Sequence, residues 1–286
     1  MTYRTFGVDY FDSVLVANEI QADFIMAIEK AHSTKPKYIA VVGSTYLDEL
    51  KLLHKQLESP QNKLPTILIS PSWGKESLLS KYGLTLLKPI VETGYFVIIR
   101  PHPQSLINEA EKKNITFLQE SLLMFNNIKW DIGTPNVIAF RQSDMMISDF
   151  SSVIFDFVCL EQKPVLTLDF SFDSAGYDLA DIYNENNIDE FWTFKTLKNI
   201  GGKIKESDFE NIKDKIDSAL SVKNNHLDFV AKTLWKHRLN SGERSAYEIL
   251  SLQKHLLESQ LNKAILSQLS CINASISLLQ KDNNAL

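Results

Sequence analysis

The sequence has few cysteines, no excess of basic residues and no long apolar run. Its 286 residues include only Cys159 and Cys271, too far apart for a Cys-x-x-Cys pair, so neither a disulfide framework nor a structural zinc site is expected. The formal net charge is −5, which argues against nucleic-acid binding, because neutralising a phosphate backbone requires a basic face. We therefore expect a protein that holds no metal or cofactor and does not bind nucleic acid.

The apolar segments are also short. A run such as Val97-Ile98-Ile99 has the length of a strand, whereas a membrane-spanning helix needs about 20 apolar residues. The start of the chain is not followed by the apolar core of a signal peptide. These features predict a cytoplasmic protein, and they leave peripheral contact with the inner face of the membrane open.

Short apolar runs alternate with amphipathic segments along the chain, which is typical of a parallel α/β sheet with helices on both faces. A polar stretch at 59–63 reads as a boundary between two such series. Strands are predicted at 13–17, 38–42, 66–69, 95–99, 145–148 and 164–168, and helices at 21–32, 48–56, 77–92, 152–161 and from about 225 almost to the end.

Three unusual polar clusters follow predicted strands, at 70–74, 100–103 and 148–152. In open α/β sheets, ligands bind at the carboxyl ends of the strands. We therefore expect the three clusters to meet at one crevice.

The cluster at 148–152 reads Ser-Asp-Phe-Ser-Ser and precedes a predicted helix. Ser151 or Ser152 could simply cap that helix. The free N–H groups and the positive end of the helix dipole also favour phosphate. Because Ser148, Asp149, Ser151 and Ser152 crowd a single turn, where one residue would suffice as a cap, the cluster favours a ligand site.

Asp156 lies within that helix among apolar neighbours. A carboxylate in such surroundings needs a partner or must face a cleft. Two interpretations stay open: a structural ion pair, or a functional group that accepts a hydrogen bond from a ribose hydroxyl or orients a reactant.

The clusters at 100–103 and 70–74 supply an arginine, a histidine and a tryptophan. Two prolines hold Arg100 and His102 in fixed relative positions, where arginine can grip phosphate and histidine can titrate near neutral pH. Trp73, with Ser70 nearby, could form a wall for a nucleotide base or could only cover the sheet. Arg100 and His102 are the candidates for catalysis, and Ser70 and Trp73 are candidates for nucleotide binding.

The C-terminal segment carries an apolar stripe at helical spacing, which predicts a helix that associates with a second copy or packs on its own domain. It lacks the basic face of a membrane-surface helix. The stripe consists of Leu261, Ile265, Leu269, Ile272, Ile276 and Leu279.

In order and spacing, four of these segments resemble the CDP-glycerol glycerophosphotransferase family, whose members build bacterial teichoic-acid and capsule-type polymers. The resemblance covers roughly residues 6–250 and is most specific at 148–164. The segments are Ser-Pro-Ser-Trp at 70–73, Arg-Pro-His-Pro at 100–103, Ser-Asp-Phe-Ser-Ser-Val-Ile-Phe-Asp-Phe at 148–157 and Lys-Pro-Val at 163–165.

The resemblance implies a GT-B-like fold of two Rossmann-type domains facing a cleft, with the N-terminal one incomplete here. Residues 1–59 would be the remnant of that domain and the interdomain link. Residues 60–250 would bind a CDP-linked donor, and residues 251–286 would form a helical tail. The pyrophosphate would lie against Ser151 and Ser152, and His102 would take part in catalysis or phosphate stabilisation beside Arg100.

The implied reaction is transfer of glycerol phosphate or a similar polyol phosphate from the donor to a polymer or lipid-linked acceptor. Family members normally carry an N-terminal histidine in a Trp-His-Gly-type motif as the base, and no Trp-His pair occurs in this sequence. Two alternatives remain: a GT-B glycosyltransferase that uses a nucleotide-sugar, or a non-catalytic nucleotide-binding or scaffold subunit.

Overall fold

The computed structural model describes residues 7–58, 64–169, 192–198, 200–222 and 226–283, with side chains as far as residue 277. The chain forms two compact units, Met1–Ser241 and Gly242–Leu286. The predicted boundary at 59–63 lies outside the described residues, and the division at 59/60 and 250/251 stays a prediction.

A six-stranded parallel sheet forms the centre of the first unit, in the order β5-β4-β3-β6-β7-β8. The four inner strands are mostly apolar and, apart from the partly buried Phe96, almost completely buried, as expected for a parallel sheet covered on both faces. The strands are β3 (Thr66–Ile69), β4 (Phe96–Ile99), β5 (Ile128–Trp130), β6 (Met145–Ser148), β7 (Val165–Leu168) and β8 (Gly202–Ile204).

Helices cover both faces of this sheet, which confirms the predicted α/β class. Alternate residues of each strand point to opposite faces: Leu68, Ile98 and Met146 join one apolar core, and their neighbours join the other. The helices are α3 (Leu78–Lys81), α4 (Leu84–Glu92), α5 (Pro103–Ile107), α6 (Glu109–Ser121), α7 (Asn136–Gln142), α8 (Val153–Glu161), α9 (Trp192–Leu197), α10 (Ile212–Ser221), α11 (His226–Leu234) and a 3-10 helix at Glu206–Asn211.

The direction of the chain across the sheet reverses between β3 and β6. From β3 the chain proceeds to β4 and β5 on one side, and β6 then pairs with β3 on the other side. The register aligns Ile69 with Ile99 and with Ile147. Ser70 and Arg100 therefore follow β3 and β4 at the level of Ser148, the last residue of β6, at the switch point where open α/β sheets bind ligands.

A second, two-stranded parallel sheet precedes this one and consists of β1 (Ser13–Val16) and β2 (Tyr38–Val41), with helices α1 (Glu19–His32) and α2 (Thr45–Gln56). The α2 side chains Leu47 and Leu50 enter the core formed by α7, α8 and α11. This N-terminal part thus packs directly on the larger sheet's helical layer.

Residues 234–241 hold the N-terminal part in place. The Asn18 side-chain amide donates to the Leu234 carbonyl oxygen at 2.8 Å. The Asp48 carboxylate accepts from Trp235 Nε1 at 2.8 Å and from the Ser241 N–H at 2.9 Å. Gly43 has φ +89°, and a Cβ built there would lie 2.4 Å from the Lys236 carbonyl oxygen, so only glycine fits.

Two predicted helices are interrupted. The helix predicted at 77–92 is two helices, because Gly83 has φ +45° and a right-handed helix cannot continue through that conformation. The helix predicted from about 225 is interrupted between α11 and α12 (Ser241–Asn283). There His237 and Leu239 adopt positive φ, and Asp48 accepts hydrogen bonds from Leu239 and Ser241 that a continuous helix would not offer.

The second unit is the 43-residue helix α12 after its first residue. Across the described ranges, no helix combines the length and the apolar content that crossing a bilayer requires.

Candidate functional site

The ends of β3 and β6 are tied together by two of the predicted site residues. The Ser148 hydroxyl donates to the Ser70 carbonyl oxygen at 2.5 Å, and the Ser70 N–H donates to the Ile147 carbonyl oxygen at 3.2 Å. Both serines are buried, Ser148 completely. Ser70 and Ser148 therefore shape the edge of the sheet from inside, and their predicted contact with a ligand stays untested.

Asp149 fastens the loop after β3 to the loop after β6. Its carboxylate is almost completely buried and accepts from the backbone N–H groups of Ser72 at 2.9 Å, Leu78 at 2.9 Å and Ser151 at 3.1 Å. Burial raises the pKa of the Asp149 carboxyl, and the hydrogen bonds from Leu78 and Ser72 act in the opposite direction. This geometry makes Asp149 a residue that positions the loops.

Arg100 is held by the segment that follows β5. Its Nη1 lies 2.7 Å from Asp131 Oδ2 and its Nε donates to Asn136 Oδ1 at 2.9 Å, while Nη2 donates to the Thr134 carbonyl oxygen. Burial alone would raise the pKa of the Asp131 carboxyl, but hydrogen bonds from Thr134 and the charge of Arg100 outweigh it and lower that pKa. Most donors of Arg100 are thus used within the protein.

His102 caps α5 and faces Trp73. Its Nδ1 accepts a hydrogen bond from the Gln104 N–H at 3.1 Å, so the neutral ring carries its proton on Nε2. Burial lowers the pKa of His102, and the Glu111 carboxylate opposes that effect. The ring stacks on Trp73 with the centroids 6.3 Å apart. At neutral pH, His102 is therefore a neutral side chain with an Nε2–H donor.

Glu111, on α6, supports both of these rings, although the sequence analysis did not single it out. Its carboxylate accepts from the Gly74 N–H at 3.2 Å and from the Ser105 hydroxyl at 2.6 Å. These bonds join the loop that carries Trp73 to the short helix that His102 caps. A glutamate in the first turn of a helix is common, so nothing in the sequence marked it.

At the amino terminus of α8, some backbone N–H groups have an acceptor and others meet none among the described residues. The Ile154 and Phe155 N–H groups donate to the carbonyl oxygens of Ser151 and Ser152, but within the described part of the chain the N–H groups of Ser152 and Val153 meet no acceptor. The Ser152 hydroxyl makes no capping bond. Simple capping by Ser152 is therefore not what the structure shows, and two N–H groups remain for an anion.

Asp156 and Tyr46 lie beside this terminus. Burial raises the pKa of the Asp156 carboxyl to about 7, and no hydrogen-bond partner for that carboxylate occurs among the described residues. Burial and the Asp156 charge raise the pKa of Tyr46, and a hydrogen bond to Asn136 acts against them. Tyr46 lies at the start of α2, so the N-terminal helix contributes to the site, which the sequence analysis did not anticipate.

The three predicted clusters thus meet at one edge of the sheet. Trp73 and Ser152 are exposed there and His102 is partly exposed, while Ser70, Ser148, Asp149 and Arg100 are engaged in internal hydrogen bonds. The arrangement offers backbone N–H groups, a helix dipole, an imidazole N–H and an indole face. Such a set can bind an anion attached to an aromatic base.

Comparison with known proteins agrees with this geometry. The model of the family CDP-Glycerol:Poly(glycerophosphate) glycerophosphotransferase matches residues 8–184, more than half of the 286-residue chain. The chain belongs to the CDP-glycerol glycerophosphotransferase family. The match includes all the predicted site residues, from Ser70 to Asp156.

Two known proteins are similar to this chain over part of their own lengths. Minor teichoic acid biosynthesis protein GgaB of Bacillus subtilis (strain 168) is 28% identical over 176 residues, which are 53% of this chain and 19% of that protein. The structure of the wall teichoic acid polymerase TagF aligns with a TM-score of 0.53 and 16% identity over 86% of this chain and 59% of that chain. The family member described here therefore spans about a fifth of the first relative and three fifths of the second.

The fold also occurs in a different enzyme class. The UDP-GlcNAc 2-epimerase of Methanocaldococcus jannaschii, solved with UDP-GlcNAc and UDP, aligns with a TM-score of 0.50 and 16% identity over 84% of this chain and 61% of that chain. At such identities the likeness shows the fold alone, and that fold is of the GT-B type. This confirms the fold class predicted from the sequence.

Proposed function

We propose that this family member binds CDP-glycerol at the carboxyl edge of the six-stranded sheet and forms the donor-binding part of a glycerophosphotransferase. One observation carries the proposal: on the sheet edge that bears Trp73 and His102, two N–H groups at the start of α8 meet no acceptor among the described residues. Membership of the family supplies the identity of the donor. A variant of TagF was solved after soaking with CDPG, which supports a donor of this kind.

In the proposed complex the donor phosphates lie against the N–H groups of Ser152 and Val153. There the positive end of the α8 dipole stabilises their charge. The cytosine base packs against the exposed side of Trp73. The His102 Nε2–H is a further donor for a phosphate oxygen, because its Nδ1 is occupied by the Gln104 N–H.

The proposed reaction is an attack by an acceptor hydroxyl on the phosphorus that bears glycerol. The new P–O bond joins the acceptor oxygen to the glycerol phosphate, the P–O bond to CMP breaks, and CMP leaves with the electron pair. The Nε2–H of His102 can stabilise the leaving phosphate. Because Nε2 of His102 already carries a proton and Nδ1 accepts the Gln104 N–H, His102 cannot take up the proton of the acceptor hydroxyl. We propose that a different group takes up that proton.

A matched pair of variants at position 152 tests the site. Ser152→Pro removes the backbone N–H, and its φ of −63° suits proline at the start of a helix. Ser152→Ala keeps the N–H and removes only the hydroxyl. We expect Ser152→Pro to weaken CDP-glycerol binding by about 1.5–3 kcal/mol, the scale of a hydrogen bond to a charged group, while Ser152→Ala stays close to the unchanged protein.

Calorimetry with CDP-glycerol, CDP-ribitol and UDP-GlcNAc provides the measurement, with melting temperatures as the control for folding. Equal affinities in the two variants would move the phosphate site away from α8. Tighter binding of UDP-GlcNAc than of CDP-glycerol would instead favour the nucleotide-sugar alternative.

We further propose that α12 associates with the same helix of a second copy. Five apolar side chains along one face of this helix are between 44% and 61% exposed, and Leu279 lies outside the described side chains. No charged residue occurs from Ala264 to Gln280, so two identical faces can meet without like-charge repulsion. The exposed stripe consists of Leu261, Ile265, Leu269, Ile272 and Ile276. Cytoplasmic location and peripheral membrane contact stay predictions.

A further inference from the structure

Asp156 is a carboxyl group without an assigned task in the proposed site. It lies one helical turn inside α8, three residues after Val153, the first residue of the helix. One turn of helix rises about 5.4 Å. A phosphate bound to the N–H groups of Ser152 and Val153 would therefore lie about one helical turn from Asp156.

The surroundings of Asp156 give its negative charge little support. Asp156 is partly buried on a helix whose other residues from Ile154 to Leu160 are buried, and the described residues offer its carboxylate no hydrogen bond. An unpaired carboxylate in apolar surroundings favours its neutral, protonated form. The pKa of about 7 is consistent with this geometry.

Other titratable groups lie near Asp156 but differ in their charge at neutral pH. Burial raises the pKa of Tyr46, on α2, and raises that of Cys159, on α8, to about 12, so both groups stay neutral at pH 7–9. The charge of Arg100 lowers the pKa of Tyr46 and so opposes the effect of Asp156 on it. Burial also raises the pKa of the Asp149 carboxyl, on the same edge of the sheet, and that carboxyl is held by N–H donors.

The opposite end of α8 carries a separate ionic cluster. Glu161, five residues after Asp156, lies 2.6 Å from His54 Nε2 and 3.0 Å from Lys163 Nζ. The nearby Lys51 donates to the Leu160 carbonyl oxygen at 3.3 Å. Lys51 and His54 of α2 and Lys163 after α8 therefore lie around Glu161, and within the described ranges no ion pair involves Asp156.

We propose that Asp156 takes up a proton when an anionic donor occupies the amino terminus of α8, so that donor binding and protonation of this site are coupled. The inference rests on the proposed function and describes how that site is regulated. A bound anion and a negative Asp156 repel each other across about one helical turn. The neutral acid removes that repulsion and becomes a hydrogen-bond donor towards the ligand.

The direction and size of the pH effect on affinity follow from the linkage between proton binding and donor binding. A nearby anion favours the protonated carboxyl and therefore raises its pKa further, so binding consumes protons. With a free pKa of about 7, the group is about half protonated at pH 7, and binding takes up a few tenths of a proton there. Affinity then falls about threefold to tenfold between pH 7 and pH 9.

The test is calorimetry of CDP-glycerol binding in buffers of different ionisation enthalpy, which counts protons directly. CDP-glycerol suits this purpose because both of its phosphates are diesters with no ionisation near pH 7. Sulfate serves as a second probe that does not depend on the identity of the donor. Asp156→Asn keeps the shape and removes the titration, and Glu92→Gln changes a carboxylate that is exposed on α4.

We expect proton uptake and pH-dependent affinity in the unchanged protein and in Glu92→Gln, and neither in Asp156→Asn, with all three melting at similar temperatures. Uptake with sulfate but no binding of CDP-glycerol would uphold the coupling and reject the proposed donor. Binding of CDP-glycerol without proton uptake would overturn the coupling and leave the donor proposal standing, with Asp156 then a charged acceptor for a ligand hydroxyl. Failure of both ligands to bind would overturn both proposals.

Discussion

The two nitrogens of His102 face different neighbours. Nδ1 receives the Gln104 N–H and thereby caps α5, while Nε2 carries the proton that the proposed donor phosphate would meet. Protonation of Nδ1 would break the cap, which agrees with the lowered pKa of this histidine. The structural and functional roles therefore depend on the same neutral tautomer.

Two substitutions separate these roles. His102→Asn keeps a side-chain oxygen that can accept the Gln104 N–H, and His102→Ala does not. We expect His102→Ala to lose about 1 kcal/mol of unfolding free energy, the usual value of a helix cap, and His102→Asn to lose less. Both should weaken CDP-glycerol binding, since neither presents the Nε2–H at that place.

The measurements are urea unfolding and calorimetry on the same samples. Normal donor affinity in both variants would restrict His102 to capping. The lowered pKa of His102 also predicts how stability depends on pH. The stability contributed by neutral His102 is present above the unfolded pKa of about 6.5 and is lost as pH falls through the folded pKa.

At the scale of elements, the segment between β5 and α7 is shaped by Arg100. This segment is short and polar, and it is held by the pairing of Arg100 with the buried Asp131 at 2.7 Å and by hydrogen bonds to Thr134 and Asn136. Asn136 also contacts Tyr46 of α2. The segment thereby links the end of β4 to the N-terminal part of the chain.

Arg100→Gln should destabilise the fold by about 3 kcal/mol at pH 7, because it leaves the Asp131 carboxylate buried without its cation. The lowered pKa of Asp131 means that the stability from this pair is present above the unfolded pKa and is lost as pH falls through the folded pKa. The difference between the two proteins should therefore shrink below about pH 4. Denaturant unfolding at pH 7 and pH 3.5 measures it.

Lys213→Gln, which breaks an exposed pair with Asp217, provides the control and should change stability little. If Arg100→Gln leaves stability intact and only weakens donor binding, Arg100 acts on the phosphate, as the sequence analysis expected, and not on the segment.

Helix α12 allows a test of association with single substitutions. Ile272 lies in the exposed apolar stripe, whereas the exposed Ser267 lies on the far side of the helix. Ile272→Asp should convert an oligomer to a monomer because two charges would face each other in the apolar seam, and Ser267→Asp should leave the mass unchanged. Light scattering reads the mass directly, and a monomeric unchanged protein would reject self-association.

For the molecule as a whole, short apolar runs were enough to predict four of the six strands of the larger sheet and the meeting of three loops. Each predicted strand was a run of four or five β-branched or other apolar residues, and the turn residues at its end marked the site. The strands β5 and β8 were missed because each has three residues and an interior lysine, Lys129 or Lys203. Without β5, Asp131 could not be recognised as a residue at the end of a strand.

The sequence did not show which of the site residues are buried in internal hydrogen bonds and which face the site. Ser148, Asp149 and Arg100 belong to the same motifs as His102 and Ser152, but their burial and partners come from strand register and from residues such as Glu111 and Asn136. Tyr46 enters the site through the packing of α2 on α7 and α8. Local pattern locates such a site, and tertiary contacts decide which side chains face it.

The hydrogen bonds that join Asn18 and Asp48 to residues 234–241 have a consequence for synthesis. They connect positions 187 to 216 residues apart, so β1, β2 and their helices cannot reach their final packing until residue 241 has left the ribosome. At about 5–20 residues per second, the first 58 residues wait roughly 10–40 s for their partners. During that time the side chains of Asn18 and Asp48 lack these partners, so the N-terminal part is held less firmly than in the finished fold, which makes it a natural client for ribosome-associated chaperones.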